Sequence, residues 1–175
     1  MHKLLFIILS SILLISCNKK HDDFNVTGMR PTYISYDALL EFEQQPSQVV
    51  VNAGEIHLYN NFVFLGEINK GIHIIDMTDT LNPVNISFLK IPGNKDFVTQ
   101  NDRLYADNGP HLLTLDISDM HNVILVERSM NVFNPAEMYP KDYSGYFECV
   151  DEAKGWVVGW EEASLYNPKC KSAFN

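Results

Sequence analysis

Gly71-Ile72-His73-Ile74-Ile75-Asp76-Met77-Thr78-Asp79 is answered forty residues later by His111-Leu112-Leu113-Thr114-Leu115-Asp116-Ile117-Ser118-Asp119, so that Asp76 aligns with Asp116 and Asp79 with Asp119. Each copy is a short apolar run closed by Asp-x-Thr/Ser-Asp or its near equivalent, which reads as a buried strand running into a tight turn. A period near forty residues is the spacing of β-propeller blades, whose four-stranded sheets hide their faces by stacking on neighbours.

Working outward from the phrase, the first unit reads as strands near Glu55–Tyr59, Phe62–Gly66, Gly71–Asp76 and Val84–Lys90. Val84, Ile86 and Phe88 alternate with Asn85 and Ser87, the pattern of a sheet wet on one face. The second unit reads as strands near Asp96–Thr99, Arg103–Asp107, His111–Asp116 and Asn122–Arg128. Phe62-Val63-Phe64 matches Arg103-Leu104-Tyr105 only with a one-residue slip.

The ends of the chain carry different signals. Leu4 to Ile15 is an apolar run of twelve residues behind the basic start His2-Lys3, too short to span a bilayer as a helix. It ends in Leu14-Ile15-Ser16-Cys17, which resembles the lipobox of bacterial lipoproteins and makes Cys17 the expected acylated N-terminus after removal of a signal peptide, 1–16. An ordinary secretory signal is the alternative. Residues 17–31 are polar, with Gly28 and Pro31 as breakers, and are expected to be a tether without core. Asn18 in place of Asp favours delivery to the outer membrane, the face being open. Ser35 to Glu43 reads as a short helix with Ser35 as N-cap, stopped by Gln45 and Pro46, within a lead-in of 32–54. Beyond Val132 the pattern breaks up, and Tyr146–Val150 with Trp156–Glu161 reads as a hairpin in an irregular segment, 136–175, that can begin a third blade.

A net charge of −9 disfavours nucleic-acid partners, which need a basic footprint. Cys149 and Cys170 are the only thiols left once Cys17 is lipidated; an oxidising envelope would let them pair, and the alternative is a buried strand cysteine with a free thiol near the C-terminus. Asp76, Asp79, Asp116 and Asp119 are read as turn caps, in preference to a calcium loop, for which no EF-hand spacing or glycine pivot is present. The six histidines show no metal-ligand spacing; His73 and His111 lie near equivalent ends of the repeat and could meet in space, but are read as solvated or satisfied strand-end residues. Trp156, Trp160, Tyr143 and Tyr146 can be a sugar-stacking patch or ordinary packing, and Glu161-Glu162 point to opposite faces of a strand.

With these residues in hand, Gly71-Ile72-His73-Ile74-Ile75-Asp76 and Leu113-Thr114-Leu115-Asp116-Ile117-Ser118-Asp119 resemble the LVIVD repeat of bacterial envelope propeller proteins. Arg30–Tyr36, Ile91-Pro92-Gly93-Asn94 and Gly155–Glu162 resemble the N-terminal part of lipid-anchored members. The resemblance implies a propeller, and together with the repeat units and the Ser35–Glu43 helix it gives an expected all-β chain with two four-stranded propeller-type blades, 55–94 and 95–135, part of a third, and one short N-terminal helix. It attaches no enzymatic role and no cofactor or metal. The expected function is a lipid-anchored, non-catalytic binding platform in the cell envelope, with a protein partner or self-association through an open blade edge. The alternative is a truncated N-terminal part of a longer envelope enzyme or glycan-binding protein. An open two-blade stack would leave an apolar side and strand edges uncovered.

Overall fold

A computed structural model describes residues 23–172. The chain there is mostly β, in three sheets, with one short helix, α1 (Tyr36–Leu39), and two single-turn 3-10 helices. The two repeat units each become a four-stranded antiparallel meander. The first is β3 (Ala53–Tyr59), β4 (Phe62–Glu67), β5 (Gly71–Asp76) and β6 (Val84–Lys90). The second is β7 (Phe97–Gln100), β8 (Arg103–Asn108), β9 (His111–Asp116) and β10 (Ile124–Ser129).

The meanders share construction as well as order. In β5–β6 the register skips Ile86, since Ile74 pairs with Ser87 and Ile75 with Asn85. In β9–β10 it skips Val126, forty positions on, since Thr114 pairs with Glu127 and Leu115 with Leu125. A bulge adds twist at a defined place, so the same bulge in both units gives both sheets the same coil. Phe62 lies opposite Asp76 and Arg103 opposite Asp116, which makes Phe62 and Arg103 equivalent despite the slip of one. The turn length explains that slip. Three residues separate Glu67 from its partner Gly71, whereas Gly109-Pro110 alone separates Asn108 from His111.

The inner faces of the two meanders close on one core. Phe64, Ile72, Ile74 and Leu89 from the first sheet meet Phe97, Leu104, Leu113 and Leu115 from the second. Along their first strands, His57 packs on Phe97 with ring centroids 5.1 Å apart. Below them, the Tyr59 hydroxyl donates to Asp102 Oδ1 at 2.9 Å and accepts from Asp102 N–H at 2.8 Å. The outer face of the first sheet stays open: Ile56 is 63% and Leu58 71% exposed.

The helix stops at Leu39, with the Ser35 hydroxyl accepting from Ala38 N–H at 3.2 Å as its N-cap. Arg128 ends it by donating to the carbonyls of Leu39 and Leu40. Its expected last residue instead opens β2 (Glu43–Pro46), a fifth strand on the first sheet beside β6, where Pro46 sits on an edge that needs no N–H. Gln44 is the reason β2 lies there: its amide donates to the Met120 carbonyl at 2.8 Å and accepts from Val123 N–H at 2.8 Å, clamping the two sheets together.

The polar stretch expected to be a tether, 17–31, is from Asn25 onward part of a strand. Asn25–Ile34 is β1, the longest strand but one, paired antiparallel with β12 (Trp156–Tyr166) over its whole length and parallel with β11 (Gly145–Phe147) at Met29. Its polar residues alternate outward while Gly28 and Pro31 are buried, so composition misled where pairing decides. The 146–161 stretch is no hairpin, because β1 lies between β11 and β12 in a sheet of order β12-β1-β11-β13, with β13 at Cys170–Ser172. That sheet packs on α1 and on the 3-10 turn Pro135–Met138 through a second core of Leu39, Met138, Trp156 and Val157. Asn69 adds a hydrogen bond to the Val158 carbonyl at 2.7 Å.

Candidate functional site

The four repeat aspartates work on backbone N–H groups. Asp76 Oδ1 accepts from Thr78 N–H at 2.7 Å and Asp116 Oδ1 from Ser118 N–H at 2.9 Å. Asp79 Oδ1 accepts from Leu81 N–H at 3.0 Å and Asp119 Oδ1 from His121 N–H at 2.9 Å. Bonds to Thr78 hold the Asp76 carboxyl below its usual range, and bonds to Asn82 and Leu81 do the same for Asp79. Among the described residues no group of three or more His, Cys, Asp and Glu side chains is gathered as a metal site.

His73 and His111 are both buried, two positions apart in the repeat alignment, and serve different neighbours. His111 Nδ1 accepts from Asn131 N–H at 3.2 Å, and burial with the nearby Arg128 pushes its pKa down. His73, 1% exposed, lies 3.3 Å from Glu67 Oε2, and Glu67 is 3% exposed. Asn85 Nδ2 lies 3.3 Å from His73 Nδ1 and donates to the Gln48 carbonyl at 2.9 Å, which places the ring proton on Nε2, facing Glu67. Glu67 also accepts from Val51 N–H at 2.9 Å and Asn52 N–H at 2.7 Å. The buried carboxylate thus pins the stretch that carries the chain from β2 on one edge of the first sheet to β3 on the other. Sequence patterning gave no sign of it, since Glu67 is buried only because residues 48–52 pass over it.

Burial opposes ionisation of Glu67, but the two backbone donors, the His73 ring and Lys70 outweigh it and hold its carboxyl below the ordinary 4.5. A depressed folded-state pKa stabilises the fold at pH above the unfolded value, and that stability is lost as pH falls through the folded value. Glu67→Gln is therefore expected to flatten the acid limb of the stability curve below about pH 4.5. Glu67→Ala is expected to cost about 2–3 kcal/mol at pH 7, because the buried His73 N–H loses its acceptor while water reaches the exposed Val51 and Asn52. Urea unfolding across pH measures both.

Cys149 and Cys170 form a disulfide with Cα atoms 5.2 Å apart. It fastens β13 to the chain just past β11, the neighbour with which β13 pairs. Cys149→Ser is expected to lower stability by about 3 kcal/mol in the chain-entropy view and to free β13 for early proteolysis, read by the unfolding midpoint and by limited digestion. The four aromatics named as a patch are not gathered as one. Trp156 is buried in the second core, the Tyr143 hydroxyl donates to the Tyr146 carbonyl at 3.0 Å, and Tyr146 packs edge-on against Phe24 at 5.4 Å.

A cleft lies elsewhere, over the outer face of the second sheet. It holds about 560 Å³ and is floored by Val98, Tyr105, Asp107 and Leu112. Its far wall is the segment from Phe133 to Lys141. That wall is fixed: Phe133 N–H donates to the Pro110 carbonyl, Asn134 caps the 3-10 turn Pro135–Met138, and Met138 is buried in the second core. Burial pushes the Asp107 carboxyl up, against the pull of the Lys95 and Asp96 N–H groups, the Asn94 amide and the Lys95 charge. Asp107 Oδ1 accepts from Lys95 N–H at 2.7 Å, Asp96 N–H at 3.1 Å and Asn94 Nδ2 at 2.8 Å, and so shapes the β6–β7 link at the cleft mouth. The signal peptide and Cys17 lie outside the described residues, and among those described no helix is long and apolar enough to cross a membrane. Comparison with protein-family models, curated proteins and solved structures finds no match for this chain.

Proposed function

We propose that this chain is a non-catalytic binding platform built on LVIVD-type propeller blades and held at the bacterial envelope, in the outer membrane, by acyl chains on Cys17. The observation that carries the reading is the doubled unit: two meanders with the same bulge and the same aspartate turns, stacked face to face. Face stacking of four-stranded units is how propeller blades hide their apolar surfaces. The twelve-residue apolar run before Ser16-Cys17 supports the anchor, since two or three acyl chains hold a protein where one is marginal. The disulfide at Cys149–Cys170 accords with an oxidising compartment.

Metabolic labelling with palmitate, followed by membrane fractionation, tests the anchor. Label in the wild-type chain that vanishes in Cys17→Ser, with the variant released to the soluble fraction, is the expected result. Equal labelling of both chains, or none in either, overturns the anchor.

A further inference from the structure

A second cleft adjoins the one over the second sheet. This smaller lobe, about 240 Å³, shares the lining residues Lys95, Glu137 and Lys141 with the larger one, so those three charged residues border both lobes and form the waist of the groove they make together. Each lobe carries partly exposed aromatic side chains, Tyr105 and Phe133 in the larger, Tyr139 and Trp160 in the smaller. We propose that this groove binds a saccharide chain, with sugar rings laid on the aromatics of both lobes and hydroxyls bonded at the waist. The proposal rests on the platform reading above and gives that platform its ligand class.

The chemistry of the walls makes the choice. An acyl chain would take the Glu137–Lys141 pair and the Lys95 ammonium out of water and offer them no hydrogen bond in return, which is costly. A phosphate-bearing ligand would meet Asp96, Asp107 and Glu137 against only Lys95 and Lys141, an unfavourable balance for an anion. A saccharide offers hydroxyls that both donate and accept, which suits a Glu137–Lys141 ion pair and the Lys95 ammonium, and its C–H faces suit half-exposed rings. Two lobes joined at a polar waist suit a chain of several rings better than a single one. The walls are held by backbone hydrogen bonds and by the second core, so little order is lost on binding.

Intrinsic fluorescence tests this directly, because the chain has two tryptophans and one lines each lobe, Trp156 the larger and Trp160 the smaller. The probes are the β-1,4-glucose, β-1,4-N-acetylglucosamine and α-1,4-glucose hexasaccharides, titrated into the purified chain. A saturable change in emission with at least one, weakened by about tenfold or more in Phe133→Ala and in Tyr139→Ala at unchanged melting temperature, is expected. No saturable change with any of the three, or binding indifferent to both substitutions, overturns the groove while leaving the anchored platform standing. Binding accompanied by cleavage of the sugar upholds the groove and overturns the non-catalytic reading.

Discussion

Gly71→Ala is expected to destabilise the protein by about 3–5 kcal/mol, the loss read by urea unfolding. Gly71 opens β5 at φ +146°, a region that L side chains rarely adopt. A Cβ there would also stand 1.9 Å from the Leu89 carbonyl oxygen and 2.9 Å from Ile91 N. Both obstacles are backbone, so no rotamer change relieves them. The equivalent residue of the second unit is His111, which has no positive φ, and His111→Ala removes one acceptor from Asn131 N–H. Its expected cost is about 1–2 kcal/mol, the ordinary scale for a lost hydrogen bond with some lost packing. The contrast separates a backbone requirement at one site from a packing role at its repeat partner.

Gly28→Val is expected to dismantle the third sheet. Gly28 lies in the middle of β1, and a Cβ there would meet the Tyr146 carbonyl oxygen at 2.3 Å and Leu165 Cδ1 at 2.7 Å. A branched side chain would push β1 off both neighbours at once, with about 3 kcal/mol or more lost. Because both tryptophans lie on β12, their emission should shift to the red. The meanders have their own core, so most of the β-sheet circular dichroism should persist. Loss of both signals together would mean that the third sheet is needed for the meanders to fold.

What the sequence could disclose was whatever is local. β4, β5, β6, β8 and β9 are framed by Asn, Asp and Gly turns and carry apolar residues at a period that one strand reveals by itself. β1 was illegible because its partner β12 lies some 130 residues away, and a Gly and a Pro within Asn25–Ile34 look like breakers until that partner is known. β2 was illegible because Glu43-Gln44-Gln45-Pro46 has no apolar residue, and Gln44 reveals its purpose only when Met120 and Val123 come alongside. The turn-forming role of Asp76, Asp79, Asp116 and Asp119 was readable because each acts on a residue two places along. The groove was not, since Lys95, Tyr105, Phe133, Glu137 and Trp160 are scattered in sequence and meet only through tertiary folding.

Native-state hydrogen exchange tests the architecture most directly. Slow exchange is expected for the central amides of β5 and β9, protected to a similar degree as middle strands of equivalent meanders, and for the β1 amides from Val26 to Tyr33 that pair with β12. Exchange at open-chain rates across 25–34, or protection of β5 without matching protection of β9, would contradict a fold built from two stacked copies of one unit and a third sheet in which β1 pairs with β12.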